Sequence, residues 1–253
     1  MEFGERMIQR GMRGRDVEEL QIRLAGFRGT VPDGYYGPGT ELQVVKFQQD
    51  YMRMSQPRGV VDDRTFAALQ RFADDFPLDF SVLRCPCGVC DGFGRGRFKR
   101  VYQAGFPKRE AYHRYEYPGI HRMILWAVRA ALFYASDYGL VITSGYRCGV
   151  RDEQVGRHTT NHHGKAIDFD VTSRRGDDRH ADIQRCDEVR GILVETANAQ
   201  IGWNAVNRKA LEPADISPTW VHYDVRCYDA RYLDDRFFCR SGAELDAPAL
   251  VEA

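Results

Sequence analysis

The segment Asn161-His162-His163-Gly164-Lys165-Ala166-Ile167-Asp168, taken with Trp220-Val221-His222-Tyr223-Asp224, limits what this chain can fold into more than any other feature. Imidazole nitrogen and carboxylate oxygen both ligate Zn²⁺, and three protein ligands leave one coordination position for water. The first segment offers a His and an Asp within one turn followed by a strand. The second offers a further His more than fifty residues later. A fold that uses them must bring a turn and two distant strands together. A purely structural zinc would be closed by four Cys or His ligands, so a His/Asp/His set points to chemistry.

The surrounding pattern supports strands at both places. Val221 to Val225 alternates, with His222 and Asp224 on one face and Val221, Tyr223 and Val225 on the other. Ala166 to Val171 places Ala166, Asp168 and Asp170 on one face in the same way. Apolar residues at helical spacing predict helices over 119–138 and 182–199, with Gly139 ending the first and Leu140–Thr143 forming a short buried strand. Helices interleaved with short strands predict an α+β domain with a small antiparallel sheet.

The first seventy residues read differently. Asp33-Gly34-Tyr35-Tyr36-Gly37-Pro38-Gly39-Thr40 precedes a helical run ending at Phe47-Gln48, and Gly59-Val60-Val61-Asp62-Asp63-Arg64-Thr65 precedes a second run. In each, a glycine turn feeds a Thr or Asp at the expected N-cap. Upstream, Gly14-Arg15-Asp16 opens a helix carrying Val17, Leu20, Gln21 and Leu24. Three short helices make a bundle of about 65 residues, small but viable. These motifs resemble the three-helix peptidoglycan-binding domain attached to many wall hydrolases. That resemblance implies a domain over 1–72 that binds bacterial peptidoglycan. Residues 73–80 are expected as a short polar linker, 81–240 as a second domain with its own core, and 241–253 as a frayed tail.

Composition narrows the function classes. Lys+Arg and Asp+Glu balance at 36 each, so no nucleic-acid groove or membrane-surface patch is expected. No apolar run approaches a membrane span, and residues 1–15 lack the apolar stretch of a secretory signal. The expectation is a monomer that reaches the periplasm or cell wall after release or secretion by a signal-independent route. The Gly92–Gly96 loop lacks the Lys-Ser/Thr of a phosphate loop. His158 and His180 carry no assigned role. Seven cysteines is an odd number. Cys85, Cys87 and Cys90 have the spacing of a metal knuckle but lack a matching second half, so a disulfide or buried thiols is the expectation.

Ser144-Gly145-Tyr146-Arg147, then Gly164-x-Ala166-x-Asp168, then Trp220-x-His222, resemble the D-alanyl-D-alanine peptidase family of zinc enzymes, which shares its fold with the hedgehog signalling domain. The resemblance covers residues 76–240. It implies Zn²⁺ held by a His, an Asp and His222, with substrate contacts from Ser144, Tyr146 and Arg147. The family histidine position falls on Asn161, so His162 with Asp168 competes with His163 and Asp170. His162 and Asp168 keep the glycine, alanine and aspartate in the family register and are the expected ligands. The family's frequent carboxylate three residues before the last His is Thr219 here. Glu212, in a Pro-fixed loop, is the expected general base, ahead of Asp215 and Asp224. Arg147 offers a planar fork for a carboxylate or oxyanion. Asp224 is expected to support His222 through a hydrogen bond.

The expected function is a zinc peptidoglycan peptidase, endolysin-like, that cleaves stem peptides while anchored to the wall. The alternatives are a D-alanyl-D-alanine carboxypeptidase and a zinc-stabilised binding protein that does not cut.

Overall fold

A computed structural model describes residues 3–94, 116–157, 161–173, 183–202 and 207–247. Helices α1 (Arg15–Arg23), α2 (Pro38–Asp50) and α3 (Asp63–Asp75) stand where the three glycine turns predict them. Asp62 caps α3 by accepting from Thr65 N at 3.0 Å. At α2 the cap position is Gly37 with Pro38 in the first turn. Thr40, expected at that cap, lies inside the helix, and its hydroxyl accepts from Gln21 Nε2 at 2.9 Å. The internal echo has a physical basis. Gln21 Oε1 accepts from Gly34 N at 2.9 Å, and Gln48 Oε1 accepts from Gly59 N at 3.1 Å. Each motif glutamine ties its helix to the glycine turn that follows.

In the remainder, α4 is Phe80–Leu83, α5 Arg122–Tyr134, α6 Gly149–Gln154, α7 Ile183–Ala197 and α8 Gly242–Asp246. The strands are β1 (Ile120–His121), β2 (Tyr138–Ser144), β3 (Ala166–Ser173), β4 (Gln200–Ile201), β5 (Ala210–Leu211), β6 (Val221–Asp224) and β7 (Phe238–Cys239). The main sheet has the order β2-β3-β6-β5-β4, and β1 pairs with β7 in a small ribbon. The class is α+β, as expected. The sheet is antiparallel except where β4 runs parallel to β5.

Four expectations change. The helix predicted over 119–138 starts at Arg122, because Ile120–His121 pairs with β7. The strand predicted as buried at Leu140–Thr143 is an edge strand with Val141 49% exposed. The expected linker is partly structured, since α3 runs to Asp75 and Asp79 caps α4 through Ser81 N at 2.8 Å. The expected tail contains α8, where Leu245 is fully buried and Asp246 pairs with Arg129. Residues 248–253, His158 and His180 lie outside the described residues.

Nor do the two parts keep separate cores. Phe27 packs edge-on against Phe47 and Phe72 of the bundle at 5.1 and 5.3 Å, and also meets Phe133 of α5 at 6.3 Å. Phe72 stacks on Trp126 at 6.3 Å. Glu19 of α1 accepts from Arg23 at 2.7 Å and from Arg122 of α5 at 2.6 Å, all three buried. A long apolar α5, buried over its whole N-terminal part, needs cover on its outer side, and the bundle supplies it.

Candidate metal centre

The sheet register assembles the site. Asp168 on β3 stands opposite His222 on β6, and Ser144 at the end of β2 stands opposite Asp168 from the other side. Leu211 pairs with Tyr223, so the next residue, Glu212, comes level with His222, and Glu212 N donates to His222 O at 3.2 Å. Four polar residues from four chain segments therefore share one row on one face.

His162 enters from a turn rather than a strand. Lys165 N donates to Asn161 O at 2.9 Å, and Gly164 has φ +110 with its Cα face pressed on the Gly119 carbonyl. A side chain at 164 would clash there, which explains the glycine. Arg147 N donates to His162 O at 2.8 Å, so this turn is bonded to the Ser144–Arg147 segment.

His162 Nδ1 lies 2.8 Å from Gly145 O. A carbonyl only accepts, so Nδ1 carries the proton and Nε2 keeps its lone pair. Nε2 lies 3.2 Å from Asp168 Oδ2. His222 Nδ1 lies 2.6 Å from Asp168 Oδ1, and its Nε2 lies 3.0 Å from Asp224 Oδ2. The donor atoms of His162, Asp168 and His222 fall within 4.8 Å of one another. Of the two adjacent histidines only His162 joins this group. His163 turns away, with Nε2 3.0 Å from Asp152 Oδ2, both side chains buried. Asp170 pairs in register with Val141, one step along β3 from the group.

The electrostatics fit a cation at the centre. Burial opposes ionisation of Asp168, but the two imidazoles outweigh it and hold its carboxyl far below the usual range. Burial likewise disfavours a charged His222, yet Asp168 and Asp224 raise it to about 10. Two carboxylates thus demand positive charge at this place. A divalent ion between the N, O and N donors meets that demand, and zinc accepts this donor set. Asp224 bonds His222 and also pairs with Arg226 at 2.8 Å, the arrangement by which a carboxylate orients a ligand histidine.

Glu212 is half-buried, and burial raises its carboxyl above the ordinary value, with His222 pulling down and Asp168 pushing up. Asp215 is exposed. Arg147 is partly exposed, with Nε 3.8 Å from Asp152 Oδ1, and its charge disfavours protonation of His162. Ser144 Oγ comes within 3.5 Å of His162 Nδ1. Tyr146 departs from expectation. It is fully buried, its hydroxyl donates to Tyr117 O at 2.8 Å, and its ring meets Phe93 edge-on. Buried that way, it is a packing residue rather than a substrate contact.

Sequence reading passed over Arg190 of α7. This fully buried guanidinium donates to Glu212 O at 3.1 Å and Trp220 O at 2.7 Å, clamping both ends of the Glu212–Trp220 segment. The available signal was an arginine on the face of α7 that carries Cys186, Val189 and Leu193. A cleft of about 620 Å³ lies elsewhere, on the bundle, between Tyr51, Met52, Asp63, Arg64, Ala67 and Arg71.

Residues 13–69 match the family "Putative peptidoglycan binding domain". Over 173 residues the chain is 25% identical to the zinc D-Ala-D-Ala carboxypeptidase of Streptomyces albus G, which is 66% of this chain and 62% of that protein. The chain therefore spans a little over three-fifths of that relative's length. Together the matches support a fused architecture, a peptidoglycan-binding domain followed by a domain similar to a zinc D-Ala-D-Ala carboxypeptidase.

Proposed function

We propose that this chain is a zinc-dependent peptidoglycan peptidase that cuts the stem peptides of the bacterial wall, in the manner of an endolysin, with the N-terminal domain as its anchor. The observation that carries this reading is the convergence of His162, Asp168 and His222 donor atoms within 4.8 Å, level with a half-buried Glu212. His162 Nε2, an Asp168 oxygen and His222 Nδ1 would hold the ion. When bound, zinc lowers the pKa of its water to about 7 and polarises a carbonyl. Glu212 takes a proton from the attacking water and returns it to the leaving amine, a role suited to a carboxyl raised by burial. Arg147 presents its fork to a substrate carboxylate or to the developing oxyanion. Asp224 and the Gly145 carbonyl fix the two imidazoles. Tethering to an insoluble polymer raises local substrate concentration without any new contact at the site.

The relative's printed activity favours a second reading, a carboxypeptidase that trims terminal D-alanine. Mass spectrometry of muropeptides, before and after digestion and with and without a chelator, separates the two. Cleaved cross-links, or stems cut at an internal bond, that vanish with chelator support the endopeptidase. Loss of a terminal alanine alone supports the carboxypeptidase. Unchanged muropeptides with zinc bound reject catalysis and leave a binding protein.

A further inference from the structure

Four cysteines meet behind the Ser144–Arg147 segment. Cys85, Cys87 and Cys90 come from one loop, and Cys148 joins them from 63 residues beyond Cys85. Their sulfurs all lie within 4.8 Å of one another. Cys148 supplies the second half that the Cys85–Cys90 spacing lacks. We propose that Cys85, Cys87, Cys90 and Cys148 form a closed structural zinc site, separate from the His162/Asp168/His222 centre.

The distances favour a metal over a disulfide. Cys85 Sγ and Cys148 Sγ are 3.6 Å apart. A disulfide needs about 2.05 Å. Thiolates around a tetrahedral zinc, each about 2.3 Å from it, stand about 3.8 Å apart. The backbone is arranged for sulfur that carries charge. Cys87 Sγ accepts from Cys90 N at 3.2 Å and Val89 N at 3.3 Å, Cys90 Sγ from Gly92 N at 3.4 Å, and Cys85 Sγ from Cys148 N at 3.4 Å. Such N–H donors offset the charge of coordinated thiolates. Gly88, with φ +71, lets the loop curl so that Cys87 and Cys90 face one point. Cys85, Cys87 and Cys148 are buried, while Cys90 is partly exposed and gives the ion a way in. Four thiolates leave no position for water, so this ion would hold structure and do no chemistry.

Its place explains what it would hold. Cys148 directly follows Arg147, whose N–H bonds His162 O at 2.8 Å. Tyr146 N bonds Leu83 O at 2.8 Å, two residues before Cys85. The ion would rivet the loop of residues 85–90 to the segment that carries Arg147 and backs His162.

The test uses the full chain, purified without chelator. Metal analysis is expected to find about two zinc equivalents. Cys148→Ser and Cys87→Ser should each leave about one, and His222→Ala should remove the other, so that Cys148→Ser/His222→Ala holds about none. X-ray absorption at the zinc edge needs no variant, and should show sulfur at about 2.3 Å together with nitrogen or oxygen at about 2.0–2.1 Å. A parent with no sulfur around its zinc overturns the proposal, whether or not the variants fold. So does intact-mass evidence for a Cys85–Cys148 disulfide in the protein as isolated. Zinc with an all-sulfur shell would uphold this site while rejecting the proposed catalytic centre, so the two readings fail separately.

Discussion

At the residue scale, Asp168 is bonded on both oxygens by imidazoles, and everything at the centre depends on it. Of the two neighbouring histidines, His162→Ala should abolish the proposed activity and remove the ion proposed for this centre. His163→Ala should keep that ion and lose stability instead, because it removes a buried hydrogen-bond partner of the Asp152 carboxylate and leaves a cavity. Metal content of the two variants checks this, and the reverse result would place the site on His163. Glu212→Gln is nearly isosteric. It should retain zinc and fold while losing about 10²–10⁴ in kcat, the usual worth of general acid–base help. Asp215→Asn, on an exposed side chain, should cost far less. Single-turnover rates on a soluble stem peptide decide between them. Equal activity in all three proteins would mean that another group carries the proton.

At the element scale, two glycines set how closely backbones approach. Gly145 lies against Leu83, and a Cβ there would collide with the Leu83 carbonyl. Gly145→Ala should therefore lower stability by about 1–3 kcal/mol, the ordinary cost of overpacking. Gly164→Ala adds an unfavourable positive φ to a backbone clash, so its loss should be larger. Urea unfolding of both variants measures the order. Buried lysines add a pH signature. Burial lowers Lys209 from 10.5 to about 7 while its Nζ donates to Gly29 O and, at 2.8 Å, to Ala197 O. Burial also lowers Lys165 to about 8, with Asp224 opposing. Between these values and 10.5 the unfolded chain binds more protons than the folded one, so stability rises with pH through that window. Below about 7 the charging penalty on Lys209 is fully present. Lys209→Met should flatten the rise without abolishing it, because Lys165 remains. An unchanged slope in denaturant titrations from neutral to alkaline pH would contradict the assignment.

Over the whole molecule, bundle and peptidase-like part share a core through Phe27, Phe72, Trp126 and Phe133, and share the buried Arg23–Glu19–Arg122 cluster. Thermal unfolding of the full chain should therefore be one transition. Glu19→Gln leaves two buried guanidiniums without their carboxylate and should destabilise by about 3–5 kcal/mol. Calorimetry checks both. Two resolved transitions would show that the parts unfold independently after all. The shared interface also seats the N-terminal bundle on the side of α5, against the part that carries the candidate metal centre.

Much of this was written in local sequence. Hydrophobic period, glycine turns and alternation placed α1 to α3, β3 and β6, because those signals act over a few residues. The residue types named His, Asp and His as a candidate ligand set, and the resemblance to the peptidase family, through its register, selected His162 with Asp168. What local sequence could not decide is which side chains meet across long separations. The turn that Gly164 packs against Gly119 is what aims His162 at Asp168 and His163 at Asp152. Arg190 became a clamp, and Glu19 a buried counter-ion, only when helices docked. Tyr146 looked like a substrate residue in its motif and became core once Tyr117 and Phe93 enclosed it. Cys148 looked dispersed until β2 carried it to the Cys85–Cys90 loop. Each of these depends on non-local packing and burial, which change the charge state and role of a side chain without changing its sequence neighbours.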